Sequence, residues 1–336
     1  MTDDSATGSA ARRLPRKAGV VAADPRAGGG ASTPSFQSPG DAGLGLPGPL
    51  GATRLGRRTF DWGARTYVMG ILNVTPDSFS GDGLLAAGGD PVAAAVALGR
   101  EMVADGADIL DVGGESTRPG HEDVPAEEEV RRVLPVIAEL RRALPDTPIS
   151  IDTTKPAVAA AALDAGAHVV NDTWGVADDD RMARLAGERE VPIVLMHNRA
   201  EARYTNLMPE ILADLERAIE RSVRVGVRWA DIVVDPGFGF GKAPEHNLAL
   251  LRDLSALRLL GRPILLGTSR KSTLGKVLDL PADQRLEATL ATTALAVAAG
   301  ADIVRVHDVR PNVRVARMAD AIVRGTWRGQ REAAER

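Results

Sequence analysis

Three groups of polar residues in this chain have the types and spacing to do chemistry. Asp152 and Asp235 each end an apolar run, and Asn171 nearly ends another, His168–Asp172. Carboxylates set among apolar residues need donors. A heterocycle with several N–H groups on one edge, such as an aminopyrimidinone, would supply them. Asn171 offers both a donor and an acceptor, which suits a ring with mixed edges. Internal pairing of the acids with Lys271 and Arg305 is the structural alternative. The second group is Asn73, Arg118, Arg305 and His307. Two arginines and a histidine point to an anion, because guanidinium grips phosphate or carboxylate with two parallel bonds. On its own, His307 reads as a packed core histidine. Asn73 has a carbonyl oxygen fit for Mg²⁺ shared with a substrate's phosphates. The sequence offers no complete protein cage for a metal, so any ion would arrive with the phosphate. The third group is Ser269–Ser272, read as the start of a helix after the seventh apolar run, in which Lys271 could be a Schiff-base nucleophile, a charge partner or a donor to a ligand. Met196, Phe238 and Phe240 can wall a pocket, and the run Gly237–Lys242 lacks the spacing of a Walker phosphate loop.

These groups are held by a repeating frame. Eight apolar runs stop abruptly in polar residues: Ile71–Phe79, Ile109–Gly120, Ile149–Thr153, His168–Asp172, Ile193–His197, Ile232–Lys242, Ile264–Ser272 and Ile303–Asp308. Strands with few polar interruptions indicate a parallel sheet covered on both faces. Between them lie helix-period segments, Pro91–Asp105, Pro125–Leu144, Pro156–Ala165, Asp178–Glu190, Pro209–Val225, Glu245–Leu257, Asp283–Ala299 and Arg310–Arg324. Such alternation with no polar edge strand predicts a (β/α)8 TIM barrel, a fold of about 250 residues whose active site gathers at the C-terminal strand ends. Thr59–Asp61 and Arg65–Tyr67 flank Trp62–Gly63 and predict a hairpin ahead of the first buried strand. Residues 1–55, rich in Gly, Ala, Pro and Ser, read as a disordered extension, and residues 56–336 as the barrel. Two long polar segments, Thr75–Asp90 and Gly114–Val124, read as mobile loops over the mouth.

Composition narrows the class. The net charge of −4 argues against a nucleic-acid partner. The absence of cysteine removes disulfides and thiolate chemistry. No run approaches the roughly 18 apolar residues of a membrane span. A soluble, cytoplasmic enzyme of small molecules is expected.

Five motifs in order, Asn73–Ser80, Gly113–Gly120, Asp235–Lys242, Ser269–Ser272 and Arg305–Val309, make roughly Tyr67–Val323 resemble the dihydropteroate synthases, a pterin-binding TIM-barrel family. The resemblance implies condensation of 6-hydroxymethyl-7,8-dihydropterin diphosphate with 4-aminobenzoate to 7,8-dihydropteroate and diphosphate, by dissociative substitution. By matching motif it implies that Asp152, Asn171, Asp235 and Lys271 hold the pterin, and that Asn73, Arg305 and His307 form the diphosphate and Mg²⁺ site. Phe79, Thr117, Arg118 and Pro119 would close over diphosphate and help shape the aminobenzoate pocket, with Met196, Phe240, Gly267 and Ser269 lining it. A homodimer and sensitivity to sulfonamides are further implications. This chain departs from the family pattern at Ser80–Gly83 and at Asn198–Ala200, where Asp-Gly-Gly and Met-x-Gly are usual. Two other readings are a catalytically silent pterin-binding homologue and a pterin-dependent methyltransferase. The latter has no use for the diphosphate-loop motifs.

Overall fold

Two short strands, β1 (Ala52–Leu55) and β2 (Arg58–Asp61), pair antiparallel as a hairpin. The computed structural model describes residues 50–75, 90–115, 123–177 and 179–327. After the hairpin, the apolar runs form β3 (Tyr67–Asn73), β4 (Ile109–Gly113), β5 (Ile149–Asp152), β6 (Val169–Asp172), β7 (Ile193–Met196), β8 (Ile232–Asp235), β9 (Leu265–Leu266) and β10 (Ile303–Val306). They lie parallel in the order β8-β7-β6-β5-β4-β3-β10-β9. A parallel bridge between Val234 and Ile264, with Val234 N donating to Pro263 O at 2.9 Å, joins β8 to the β9 side and closes the barrel. The expected (β/α)8 fold is present.

The described helices are α1 (Pro91–Ala104), α2 (Ala126–Ala143), α3 (Pro156–Asp164), α4 (Arg181–Glu188), α5 (Leu207–Arg224), α6 (Pro244–Arg252), α7 (Ser272–Leu278), α8 (Leu286–Ala298) and α9 (Val309–Val323). Three start on Pro, which lacks the N–H a first helical turn would leave unpaired. α1, α3 and α8 run into the repeated Gly-Ala step, where Gly106, Gly166 and Gly300 take φ of 105°, 112° and 93°, which suits glycine and turns the chain at once into the next strand.

Side chains alternate across each strand. The outward set, including Leu110, Val112, Ile151, Val170, Leu195 and Val234, is buried beneath the helices. The inward set begins with Met69, Ile109, Val169, Val194, Val233, Leu265 and Ile303, which form one apolar layer with Leu55, Phe60, Trp62 and Tyr67. The hairpin therefore floors the barrel. Phe60 lies 4.6 Å from Tyr67 and 5.8 Å from Trp62 between ring centroids, and each such ring removed from water contributes about 1.5–3 kcal/mol. Polar tips are satisfied: Trp62 Nε1 donates to Thr53 Oγ1 at 2.8 Å, Gly63 N to Asp302 Oδ1 at 3.0 Å, and Thr66 N to Asp320 Oδ2 at 2.7 Å.

The structure corrects several expectations. The hairpin partner of β2 is Ala52–Leu55 rather than Arg65–Tyr67, because Tyr67 already belongs to the barrel, its N–H bonded to Asp302 O at 2.8 Å. Ala52–Leu55 also lies inside the span read as disordered, with Leu55 buried in the floor; residues 1–49 lie outside the described residues. The helix expected to begin at Ser269–Ser272 is α7, which starts at Ser272. The segment expected as one helix over Glu245–Leu257 is α6 followed by a 3-10 turn at Leu254–Leu260. Among the described residues, no helix is long and apolar enough to cross a membrane.

Candidate active site

One alternation step above the apolar floor, the inward positions turn polar. Asp111 on β4, Asp152 on β5, Asn171 on β6, Asp235 on β8 and Arg305 on β10 all face the mouth, and all but the partly exposed Arg305 are buried. Arg305 Nε donates to Asp111 Oδ2 at 2.6 Å, and its Nη2 donates to Asp152 Oδ2. Asn171 Nδ2 donates to the same Asp111 oxygen at 3.0 Å. Among the described residues, Asp111 Oδ1 and Asp152 Oδ1 accept from no group. Two carboxylate oxygens are thus buried without a partner, which is costly unless a ligand donates to them.

Burial pushes the Asp152 carboxyl up; Arg305 pulls it back and Asp111 pushes it further up. Burial weakens the Arg305 cation, but Asp111 and Asp152 outweigh that and hold its pKa above the usual value. The alternative of internal pairing is therefore what Arg305 does in this state, instead of pointing at a separate anion site. Lys271 differs. Its Nζ donates to Phe238 O and sits 4.3 Å from the centroid of the Phe240 ring, with no acid among the described residues within salt-bridge distance. Burial pulls its pKa down to about 8, against the attraction of Asp235. Burial likewise raises the Asp235 carboxyl, opposed first by Lys271, while Gly237 N donates to Asp235 Oδ1 at 2.7 Å.

The remaining expected residues are distributed around this centre. Met196 is inward on β7 and in register with Asp235, and Gly267 follows β9 with Arg305 beside it. Ser269 was expected as lining. Its Oγ also holds His307, lying 3.1 Å from His307 N and 3.0 Å from His307 Nδ1. Arg270 grips Asp308 with two bonds of 3.0 and 2.6 Å, locking the two segments together. Asn73 ends β3 in register with Gly113, and a Cβ on Gly113 would stand 3.8 Å from Asn73 Oδ1 and 3.6 Å from Asp152 Cβ. Phe79, Thr117, Arg118 and Pro119 lie outside the described residues. Asp172 faces away from the barrel axis and accepts from Trp174 N at 3.0 Å, so it shapes the turn after β6.

Sequence reasoning missed Asp111, although its signal was present: in Ile109–Gly113, counting by twos from the buried Ile109 puts Asp111 inward. It also missed the Lys155 cluster, in which Nζ bonds Glu115 Oε2 at 2.5 Å and Glu129 Oε2 at 2.8 Å, since Glu129 reads as an ordinary first-turn helix acid. Among the described residues no group of three or more His, Asp or Glu side chains could cage a metal.

Comparison with known proteins decides the family. Residues 69–307 match the family described as pterin binding enzyme. A dihydropteroate synthase of Clostridium beijerinckii is 49% identical over 272 residues, 81% of this chain and 99% of that one. The chain belongs to the pterin-binding enzymes, among their dihydropteroate synthases.

Solved relatives agree. A Clostridium difficile dihydropteroate synthase crystallised in the presence of pteroic acid is 51% identical, with a TM-score of 0.75, covering 79% of this chain and 99% of that one. A Xanthomonas albilineans dihydropteroate synthase with 4-aminobenzoic acid is 41% identical, with a TM-score of 0.72, covering 77% and 93%. Within this pterin-binding enzyme the unusual Asn198–Ala200 stretch has a structural role. Arg199 bonds Glu210 Oε2 and Asp214 Oδ2, each at 2.7 Å, and its guanidinium lies 4.7 Å from the centroid of the Tyr204 ring.

Proposed function

We propose that this transferase binds 6-hydroxymethyl-7,8-dihydropterin diphosphate and 4-aminobenzoate at the barrel mouth and joins them into 7,8-dihydropteroate, releasing diphosphate. The observation that carries the residue assignment is the ring of inward Asp111, Asp152, Asn171 and Asp235, in which Asp111 Oδ1 and Asp152 Oδ1 are buried without a partner. Those acceptors match the amine and ring N–H donors of a pterin, and Lys271 supplies a cationic donor beside the Phe240 face.

Two roles then separate. Ring donors that engage Asp152 release Arg305 Nη2, and with His307 it stabilises the departing diphosphate. The pterin-methyl cation left behind is delocalised into the ring, and the Asp152 carboxylate stabilises it. The neutral aromatic amine then attacks, so the reaction needs no strong base and no covalent lysine. Asn73 fits a hard cation as one oxygen donor of several, the others coming from the substrate's phosphates. Bound there, Mg²⁺ would neutralise charge on the leaving group. Phe79, Thr117, Arg118 and Pro119 belong in this reading to the loops that cover diphosphate and shape the aminobenzoate pocket, where a sulfonamide would compete. The exposed Leu295 of α8, with Met318 and Ile322 of α9, supports a homodimer face, and a cytoplasmic location suits the chemistry.

The test is diphosphate release with each substrate and Mg²⁺ omitted in turn. Release that requires all three is expected; no dependence on 4-aminobenzoate would leave a pterin-binding protein without synthase activity.

A further inference from the structure

Behind the pocket wall lies a buried polar chain that the reaction does not explain. Lys242 ends the Gly237–Lys242 run yet is 9% exposed. Its Nζ donates to Phe240 O at 3.0 Å and meets His197 Nδ1, also at 3.0 Å. His197, fully buried, puts Nε2 3.1 Å from Asp214 Oδ2 on α5. Burial pulls the Lys242 pKa down to about 7, and in its protonated form the amine has only donors, so His197 Nδ1 then accepts and its single proton sits on Nε2, aimed at Asp214. Burial and the Lys242 charge push the His197 pKa down to about 4, which keeps the ring neutral. Arg199 clamps the far end on Asp214, and Tyr204 Oη donates to Gly241 O at 2.9 Å.

The loops after β7 and β8 also touch directly. Gly237, at φ 68°, is so close to His197 that a Cβ would fall 1.8 Å from its carbonyl oxygen. The same β8 loop carries Phe238 O, which accepts from Lys271, and the Phe240 ring, over which Lys271 sits. Burying an ammonium is unfavourable, and a gap beneath a loop is filled at lower cost by an apolar side chain. What Lys242 adds is directed bonds to Phe240 O, His197 Nδ1 and, at 3.4 Å, His197 O.

We propose that Lys242, through His197, is a positioning residue for the pterin site, fixing the loop that aims Phe240 and Lys271 into the pocket. This rests on the proposed residue assignment for the pterin.

The test is steady-state kinetics on the full chain with Lys242→Met, His197→Asn and His197→Phe. Losing a charged hydrogen bond is worth about tenfold. Lys242→Met should raise KM for the pterin diphosphate by about that factor, with kcat within about twofold. His197→Asn keeps an acceptor where Nδ1 was and should stay near the parent, whereas His197→Phe fills the volume without one and should follow Lys242→Met. If Lys242→Met does not fold, the two His197 variants decide alone. Parental KM in Lys242→Met, or identical behaviour of the two His197 variants, overturns the proposal. Asp152→Ala with unchanged pterin affinity would overturn the residue assignment and this inference together. Lost affinity in Asp152→Ala beside a parental Lys242→Met would sink the positioning role alone.

Discussion

Replacing Arg305 with leucine tests the charge arrangement of the mouth. The guanidinium makes charge-assisted bonds to Asp111 and Asp152, whose side chains are 0% and 6% exposed. In Arg305→Leu the Asn171 amide remains as the side-chain donor to Asp111. Removing one partner of a buried ion pair costs about 3–5 kcal/mol, and the lower end applies here because the acids can take up a proton instead. For a domain of this size about 3 kcal/mol corresponds to a Tm loss of roughly 6–12 °C. The deficit must depend on pH. The Asp152 pKa in the folded state already lies above the usual carboxylate range, and losing Arg305 raises it further. Parent and variant share the unfolded state, so the Asp152 part of the deficit is absent below the parent's folded pKa of about 7 and grows as pH rises above it toward the variant's higher value. Calorimetric melts without ligand at about pH 5 and about pH 8 should show a clearly smaller loss at the lower pH. An equal loss at both, or none at the higher, would refute the reasoning.

Phe60→Ala, deep in the floor, should cost about 3–5 kcal/mol in urea unfolding and leave kcat unchanged in the protein that remains folded. Deleting residues 1–49 should change neither melting nor turnover, whereas a deletion through Asp61 should lower Tm as Phe60→Ala does; melting scans of both truncations check this. Lys271, its pKa drawn down to about 8, is a cationic donor below that pH and loses the proton above it. Pterin affinity measured by titration calorimetry should therefore fall as pH rises through 8, and Lys271→Met should bind weakly with that limb removed.

The barrel was legible because its signals are local and repeated: apolar runs, polar endings and the Gly-Ala step. The hairpin was not, because Ala52–Leu55 has the composition of the sequence before it, and only Leu55 and Thr53 reaching the floor distinguish it. At the site, Asp152, Asn171 and Asp235 stand near their strand ends and are visible as breaks in apolar runs. Asp111 sits one step deeper, between Leu110 and Val112, where only the period of two reveals its direction. Arg305 could be read as an anion ligand, but its pairing with Asp111 spans 194 residues of chain and follows only from barrel closure. Lys242 was beyond reach for the same reason, its histidine partner lying on the neighbouring strand.

The floor sets an order on the making of the protein. Gly63 N is held by Asp302, Thr66 by Asp320, and Gly63 O by Arg324, across separations of 239, 254 and 261 residues. The aromatic plug leaves the ribosome well before the groups that fasten its connection to β3, which are synthesised 239 to 261 residues later. Until α9 emerges, Phe60, Trp62 and Tyr67 belong to an unfinished surface that is open to wrong partners, and contacts so distant in sequence form slowly. A nascent chain stalled before Asp302 should therefore bind chaperones through this end of the barrel, even with most of its strands already synthesised.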